Sequence, residues 1–239
     1  MASLFKEMFD KKNLFTGWED FDRRMLGFAP GIYVINGEAN TGKSQFIFRL
    51  ITRNYQQFKK STIIYAEKSI FPVDRLAQIY ANQFHDEPGN FLKSIRITKI
   101  ATQGHLFYAV KWLPENIKDF DANLIMFDHP VGFFNLESIE DNVNFKAFLT
   151  KLEEIVLTKQ IMIFIENTAA VIDHKGKKTY TIIAYNHFKK HAWMQINFQK
   201  NKNRIIDIHF NPDPLNLGKF QGKINEDQGF ICQPGEKNN

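Results

Sequence analysis

Cysteine is nearly absent: Cys232 is the only one among 239 residues. That excludes a disulfide framework and a zinc site built from several cysteines, and it fits a reducing cytosol. No apolar run approaches the roughly 18 residues that a membrane span requires. The opening Met-Ala-Ser-Leu-Phe-Lys-Glu lacks the apolar stretch of a signal peptide. The expectation is a cytoplasmic protein with no membrane partner. No internal repeat, low-complexity segment or Pro/Gly-rich linker interrupts the chain, so nothing marks a domain boundary inside it. An excess of one charge is also modest. There are 31 Lys and Arg against 26 Asp and Glu, a net +5, which tilts toward an anionic partner without naming one.

What is present is an ordinary globular composition, 44% apolar with 24% charged residues and an aromatic-rich core promised by 24 Phe. Short apolar runs at Ile32–Asn36, Thr62–Ala66, Ser94–Ile100, Asn123–Phe127 and Ile161–Ile165 read as strands. Between them Lys43–Phe58, Val73–Phe84, His105–Leu113 and Ile139–Leu157 carry helical spacing, the third expected to end before Pro114. Continuous apolar strands alternating with helices predict an α/β fold with a mostly parallel central sheet covered on both faces. After residue 180 the pattern changes. Ala192–Phe198 and Arg204–Phe210 alternate around the polar turn Lys200–Asn203, and Phe220–Ile224 and Gly229–Cys232 suit a further hairpin. This predicts an antiparallel C-terminal extension. The expected layout is a tail over 1–12, a core over 13–232 and a frayed tail over 233–239.

The most specific signal is Gly37-Glu38-Ala39-Asn40-Thr41-Gly42-Lys43-Ser44, a complete G-x-x-x-x-G-K-[ST] between an expected strand and an expected helix. Glycines let the backbone curl so that its N–H groups converge on phosphate oxygens at the positive end of a helix. Lys43 is expected to reach the β- and γ-phosphates of ATP, and the Ser44 hydroxyl to ligate Mg²⁺. The matching acid is Asp128, which closes the apolar run Asn123–Phe127 and would hold Mg²⁺ through water. Hydrolysis also needs a carboxylate to orient the attacking water. Glu67, closing the strand Thr62–Ala66, is the best placed.

Together these residues resemble the RecA-fold P-loop ATPases: the archaeal and eukaryotic recombinases and, more distantly, DnaB-type helicases and KaiC-like proteins. Thr16-Gly17-Trp18-Glu19-Asp20-Phe21-Asp22 resembles their T-G-x-x-x-x-D lead-in, and Gly37–Gln45 their G-x-x-x-x-G-K-[ST]-Q stretch. Phe71-Pro72-Val73-Asp74-Arg75-Leu76 is similar to the recombinase segment after the catalytic glutamate. Asn211-Pro212-Asp213-Pro214 stands where recombinases carry a Ser-Pro pair and a second proline. The resemblance spans about residues 13–232. It implies a RecA-like core that binds ATP and Mg²⁺ through Gly37–Gln45, with Arg75 against the adenine. It also implies assembly as a homo- or hetero-oligomer, to which Phe5 or Phe9 could contribute a docking anchor. Counting back from Phe71 puts Lys68 at the catalytic acid's place, whereas counting from the strand end puts Glu67 there. Glu67 is preferred because loop lengths shift more easily than strand ends.

The departures also inform. Glu166-Asn167-Thr168 follows the Ile161–Ile165 strand where the family places Asn-Gln or Ser-Gln, so Thr168 replaces the glutamine that couples γ-phosphate to DNA. Gln195 replaces a strand arginine. Slow hydrolysis is therefore expected. Asp173–Lys178 is polar, basic and glycine-containing, at the place of the family's second DNA-binding loop. Lys175, Lys177 and Lys178 are its candidate phosphate contacts on single-stranded DNA. Lys202-Asn203-Arg204 mimics the K-x-R pair of DnaB-type helicases but falls before the expected strand end, favouring a stand-alone recombinase-like core. The leading expectation is an ATPase acting on DNA in recombination, repair or replication. The alternative is a KaiC-like or accessory ATP-binding module whose nucleotide controls assembly with a protein partner.

Overall fold

A computed structural model of the chain describes residues 13–67, 71–174, 177–201, 205–211, 220–225 and 229–234, with backbone alone over 169–181 and from 225 onward. Phe5 and Phe9, Lys68, Lys175, Lys202–Arg204, Pro212–Pro214 and the last five residues lie outside the described residues. In chain order the elements are Glu19–Met25 (α1), Gly31–Gly37 (β1), Lys43–Phe58 (α2), Ser61–Ala66 (β2), Val73–Phe84 (α3) and Gly89–Lys93 (α4). Then come Ile95–Lys99 (β3), Gln103–Asp119 (α5), Ala122–Asp128 (β4), a 3₁₀ turn at Pro130–Phe133, Ile139–Lys159 (α6) and Met162–His174 (β5). Lys177–Ile182 (β6), Tyr185–His191 (α7), Met194–Lys200 (β7), Ile206–Asn211 (β8), Phe220–Asn225 (β9) and Gly229–Pro234 (β10) complete the chain.

Among the described residues the strands form one sheet in the order β10-β9-β8-β7-β1-β5-β4-β2-β3, with β6 paired to the far end of β5. From β7 to β3 the pairings are parallel; β8, β9 and β10 add antiparallel to the other edge. The strands of the parallel part are apolar because helices cover both their faces. Tyr33, Ile35, Ile64, Met126, Phe164 and Ile196 pack with Phe46, Ile47 and Leu50 of α2 on one face. Val34, Ile63, Ile125, Ile163 and Ile165 pack with Leu106, Val110, Phe148 and Leu152 of α5 and α6 on the other. Phenylalanines fill both layers, in keeping with their abundance. No helix among the described residues is long and apolar enough to cross a membrane.

Several boundaries differ from expectation. Helix α5 runs through Pro114 to Asp119, because Leu113 and Ile117 continue its buried face, and that burial outweighs the hydrogen bond the proline cannot donate. Strand β5 does not stop at Ile165. It carries on to His174, its second half pairing antiparallel with β6, so Asp173, His174, Lys177 and Lys178 of the basic segment lie on paired strands. Strand β10 reaches Pro234, two residues into the expected tail. Helix α1 is an addition to the expected elements. Its acidic first turn and basic last turn suit the helix dipole, and Phe21 and Met25 bury its inner side.

The lead-in before β1 has a plain structural job. The Asp22 carboxylate accepts hydrogen bonds from the Thr16 N–H and hydroxyl, both at 2.8 Å, and from the Gly17 N–H at 2.7 Å. Gly17 has φ +79° and lies under the Arg53 guanidinium, where a Cβ would overlap. Arg49 and Arg53 donate to the Thr16 carbonyl from α2 at 2.8 and 3.2 Å. The segment is thus tied to α2. Hydrogen bonds to a charged acceptor are the stronger kind, so Asp22→Ala is expected to cost about 2 kcal/mol of stability. Urea denaturation checks this; an unchanged midpoint would remove Asp22 from this role.

Candidate functional site

The turn from β1 to α2 is shaped by two glycines for different reasons. Gly42 stands at the helix N-cap with φ +86°, a left-handed conformation that costs other residues about 1–2 kcal/mol. Gly37 is needed for closeness: a Cβ there would stand 2.8 Å from both the Phe198 carbonyl oxygen and the Thr41 hydroxyl. Between them Ala39 and Asn40 are exposed, Asn40 also at positive φ. The loop closes on one atom. The Glu38 carbonyl accepts from the Thr41 hydroxyl at 2.8 Å and from the Lys43 ammonium at 2.9 Å. Lys43 is buried within this curl.

The carboxylate that meets the loop is Glu166, which in sequence stands out only as a departure from the family pattern. Ser44 Oγ donates to Glu166 Oε1 at 2.9 Å, and Lys43 Nζ lies 3.9 Å from the same oxygen. The backbone explains the aim. Side chains alternate faces along a strand; Met162 and Phe164 face α2 while Ile163 and Ile165 face α5 and α6. Glu166 therefore falls on the α2 side, where Ser44 opens the helix. Asp128 continues the Leu124 and Met126 side of β4 and pairs in register with Glu166 across β4 and β5. Asp128 and Glu166, on the neighbouring central strands β4 and β5, and the Ser44 that opens α2 thus lie on one side of the sheet. Their oxygens are hard donors of the kind Mg²⁺ takes, although no group of three or more His, Cys, Asp or Glu among the described residues could cage a metal.

Glu67 sits one residue beyond β2, whose Ile63 and Tyr65 face the α5–α6 layer. Its Oε1 lies beside the 3₁₀ turn after β4, 3.6 Å from where a Cβ on Gly132 would stand. That same point is 3.1 Å from His129 Cδ2 and 3.4 Å from His129 Nε2. Glu67 and His129 thus border the same point beside Gly132, and Glu166 is the acid that meets Lys43 and Ser44. His129 has φ +52°; its N–H donates to the Glu166 carbonyl at 3.0 Å and its Nδ1 lies 3.3 Å from the Thr168 hydroxyl. Thr168, in the place of the expected glutamine, pairs with Gly37 on β1 and through its hydroxyl meets this histidine. Neither His129 nor Glu166 is among the site residues that sequence reasoning finds. Strand parity past Ile165 is the signal for Glu166, and it requires knowing that β5 continues.

Arg75, on α3, donates from Nε to Gln45 at 3.2 Å and from Nη1 to Gln78 at 2.6 Å. The structure therefore brings Arg75 to the residue after Ser44. Lys177 and Lys178 belong to β6, opposite His174 and Asp173. On the sheet face away from α2, Asn167 donates to Asn36, and Asn36 to Asn197 and Gln195, at 2.9, 2.9 and 3.2 Å. Gln195, at the family's arginine position, is part of this buried amide row.

No protein-family model and no curated protein matches the chain.

The crowding at Gly37 makes a direct test. Gly37→Ala is expected to destabilise the chain by about 1–3 kcal/mol, as overpacking does. Gly89→Ala, where nothing lies within 4 Å of the added Cβ, should be neutral or stabilising by up to about 1 kcal/mol. Thermal or urea denaturation of both variants checks the contrast. Equal effects would mean that β7 does not crowd Gly37.

Proposed function

We propose that the chain is a RecA-like P-loop ATPase that binds MgATP and acts on DNA in recombination, repair or replication, with slow hydrolysis. The observation that carries the reading is the phosphate-loop sequence seated at a strand–helix junction, with Lys43 and Ser44 meeting Glu166 on the neighbouring strand β5. Backbone N–H groups at the start of α2 and the Lys43 ammonium would take the phosphates. Ser44 and Asp128 would hold Mg²⁺, whose usual coordination keeps several waters and phosphate oxygens and needs few protein ligands. When bound, the cation would neutralise charge developing on the transferred phosphoryl group. Arg75, which donates to Gln45, would stack on the base.

Glu67 is proposed to position the attacking water from its place beside the turn that carries His129 and Gly132. Single-stranded DNA as partner rests on the basic segment Asp173–Lys178, and assembly into homo- or hetero-oligomers on the resemblance. One observation favours the second reading, an accessory ATP-binding module that controls partner assembly. Thr168 is engaged with His129 and is too short to relay a γ-phosphate to the basic segment as a glutamine would.

Three outcomes test the proposal. Lys43→Ala should abolish MgATP binding in a chain that still unfolds cooperatively, read by calorimetry; wild-type affinity in the folded variant would sink it. Glu67→Gln should trap bound ATP while Lys68→Ala keeps wild-type turnover. Hydrolysis at the wild-type rate by Glu67→Gln would move the water-positioning role elsewhere. Replacing Lys175, Lys177 and Lys178 with Ala should lower the salt slope of single-stranded DNA binding by about 2, at about 0.7 per lost phosphate contact. An unchanged slope in a titration with labelled oligonucleotide would favour the accessory-module reading.

A further inference from the structure

The carboxylate of Glu166 stands where a ligand of this loop would have to be received. One oxygen accepts the Ser44 hydroxyl at 2.9 Å and lies 3.9 Å from the Lys43 ammonium. The Lys43 and Glu166 side chains are largely buried, 8% and 12% exposed, so solvent screens them little. The backbone of Glu166 is held in the sheet. Its strand is paired on both sides, with Ile35 of β1 and Asp128 of β4 as its register partners, and its carbonyl is held by the His129 N–H.

A phosphate ester arriving without a cation would meet this negative charge, and Asp128 next to it, with Lys43 as the opposing ammonium. Like charges at such distances repel strongly in a poorly screened site. A divalent cation reverses the sign of the interaction, because both carboxylates and the Ser44 hydroxyl then face positive charge. The phosphate keeps the backbone N–H groups in either case.

We propose that Glu166 makes nucleotide binding conditional on a divalent cation, acting as a selectivity residue against metal-free nucleotide. The inference rests on the nucleotide-binding reading above and goes beyond it by assigning to one side chain the discrimination between MgATP and free ATP. It gives Glu166 and Asp128 opposite signatures. Asp128 favours the cation-bound form and its loss weakens that form. Glu166 chiefly disfavours the cation-free form and its loss strengthens that form.

The test is equilibrium binding of a fluorescent ATP analogue to the full chain, in excess MgCl₂ and in EDTA. For the wild type, binding in MgCl₂ should be at least about 100-fold tighter than in EDTA. Glu166→Gln, which still offers Ser44 an acceptor, should raise affinity in EDTA by about tenfold, equal to about 1.4 kcal/mol, while changing affinity in MgCl₂ by less. Asp128→Asn should narrow the same ratio from the other side, by weakening binding in MgCl₂. Glu137→Gln, an exposed carboxylate ahead of α6, controls for net charge and should leave the ratio at its wild-type value. Glu166→Asp, which keeps the charge, should keep most of the discrimination.

A ratio unchanged within twofold in folded Glu166→Gln overturns the inference and leaves the nucleotide site standing. So does a wild type that binds equally well in both buffers, a result that needs no variant to fold. A wild type that binds the analogue in neither buffer overturns the nucleotide reading itself and this inference with it.

Discussion

The placement of every group at the site depends on the double pairing of β1. Strand β5 lies on one side of it and β7 on the other, both parallel, so Gly37 is flanked by Thr168 and by Phe198. That flanking leaves no room for a side chain at Gly37 and forces the chain to leave the sheet in the curl that Lys43 and Thr41 close on the Glu38 carbonyl. Because side chains alternate along a strand, the same pairing also sorts the polar residues after Ile165. Glu166 goes toward α2 and Ser44. Asn167 goes to the opposite face, where it meets Asn36. A slip of one residue in β5 would exchange them, turning an amide toward the serine and a carboxylate into the buried row.

The amide row beneath the loop is what makes such a slip costly. Asn36, Asn167 and Gln195 are almost fully buried, and a buried amide without its partner costs about 1–3 kcal/mol. In the observed register Asn36 uses its amide hydrogens on Gln195 and Asn197 and its oxygen on Asn167, while Asn167 also donates to the Ile183 carbonyl at 2.9 Å. Apolar residues in their place would pack β7, β1 and β5 together equally well in neighbouring registers. Hydrogen-bonding amides are less tolerant. The row therefore fixes the alignment on which the opposite face depends, without itself touching the loop.

The parallel sheet, the alternation of β1–β5 with α2, α3, α5 and α6, and the strand–loop–helix junction are legible in the sequence, because each rests on a local pattern; α1, α4, β6 and α7 are not. Apolar runs mark two-sided burial, and Gly37, Gly42 and Lys43 are readable by type. Other features lack such a local mark. Leu26, Lys59, His85 and Gln160 end helices in the left-handed conformation without a glycine to announce it. Pro114 marks an end that tertiary packing overrides. The polar triplet Glu166–Thr168 looks like the close of a strand, since its apolar run stops at Ile165, yet β6 supplies pairing that extends β5 well past it. Glu166 can be recognised as part of the site only once that extension is known, for only in a continuing strand does parity assign it a face. His129 depends on two further facts invisible in sequence, its positive φ and the closeness of Gly132.

The resting loop is also self-satisfied, and this bears on how strongly it can hold anything. Lys43 donates to Glu38, Ser44 to Glu166 and Thr41 to Glu38. A buried ammonium with no acceptor would be costly, and here the loop itself supplies one. A phosphate that draws Lys43 and Ser44 away gains only the difference between the new contacts and those given up. The loop's N–H groups at the start of α2 are different, since the first turn of a helix has no intrahelical acceptors for them. If the loop binds a phosphate as proposed, affinity would come mainly from these N–H groups and the helix dipole, and side chains would decide which charge state is admitted. On the proposed reading, recognition of the phosphate and discrimination of its counter-ion would fall to different groups, the loop backbone and the Glu166 side chain of β5.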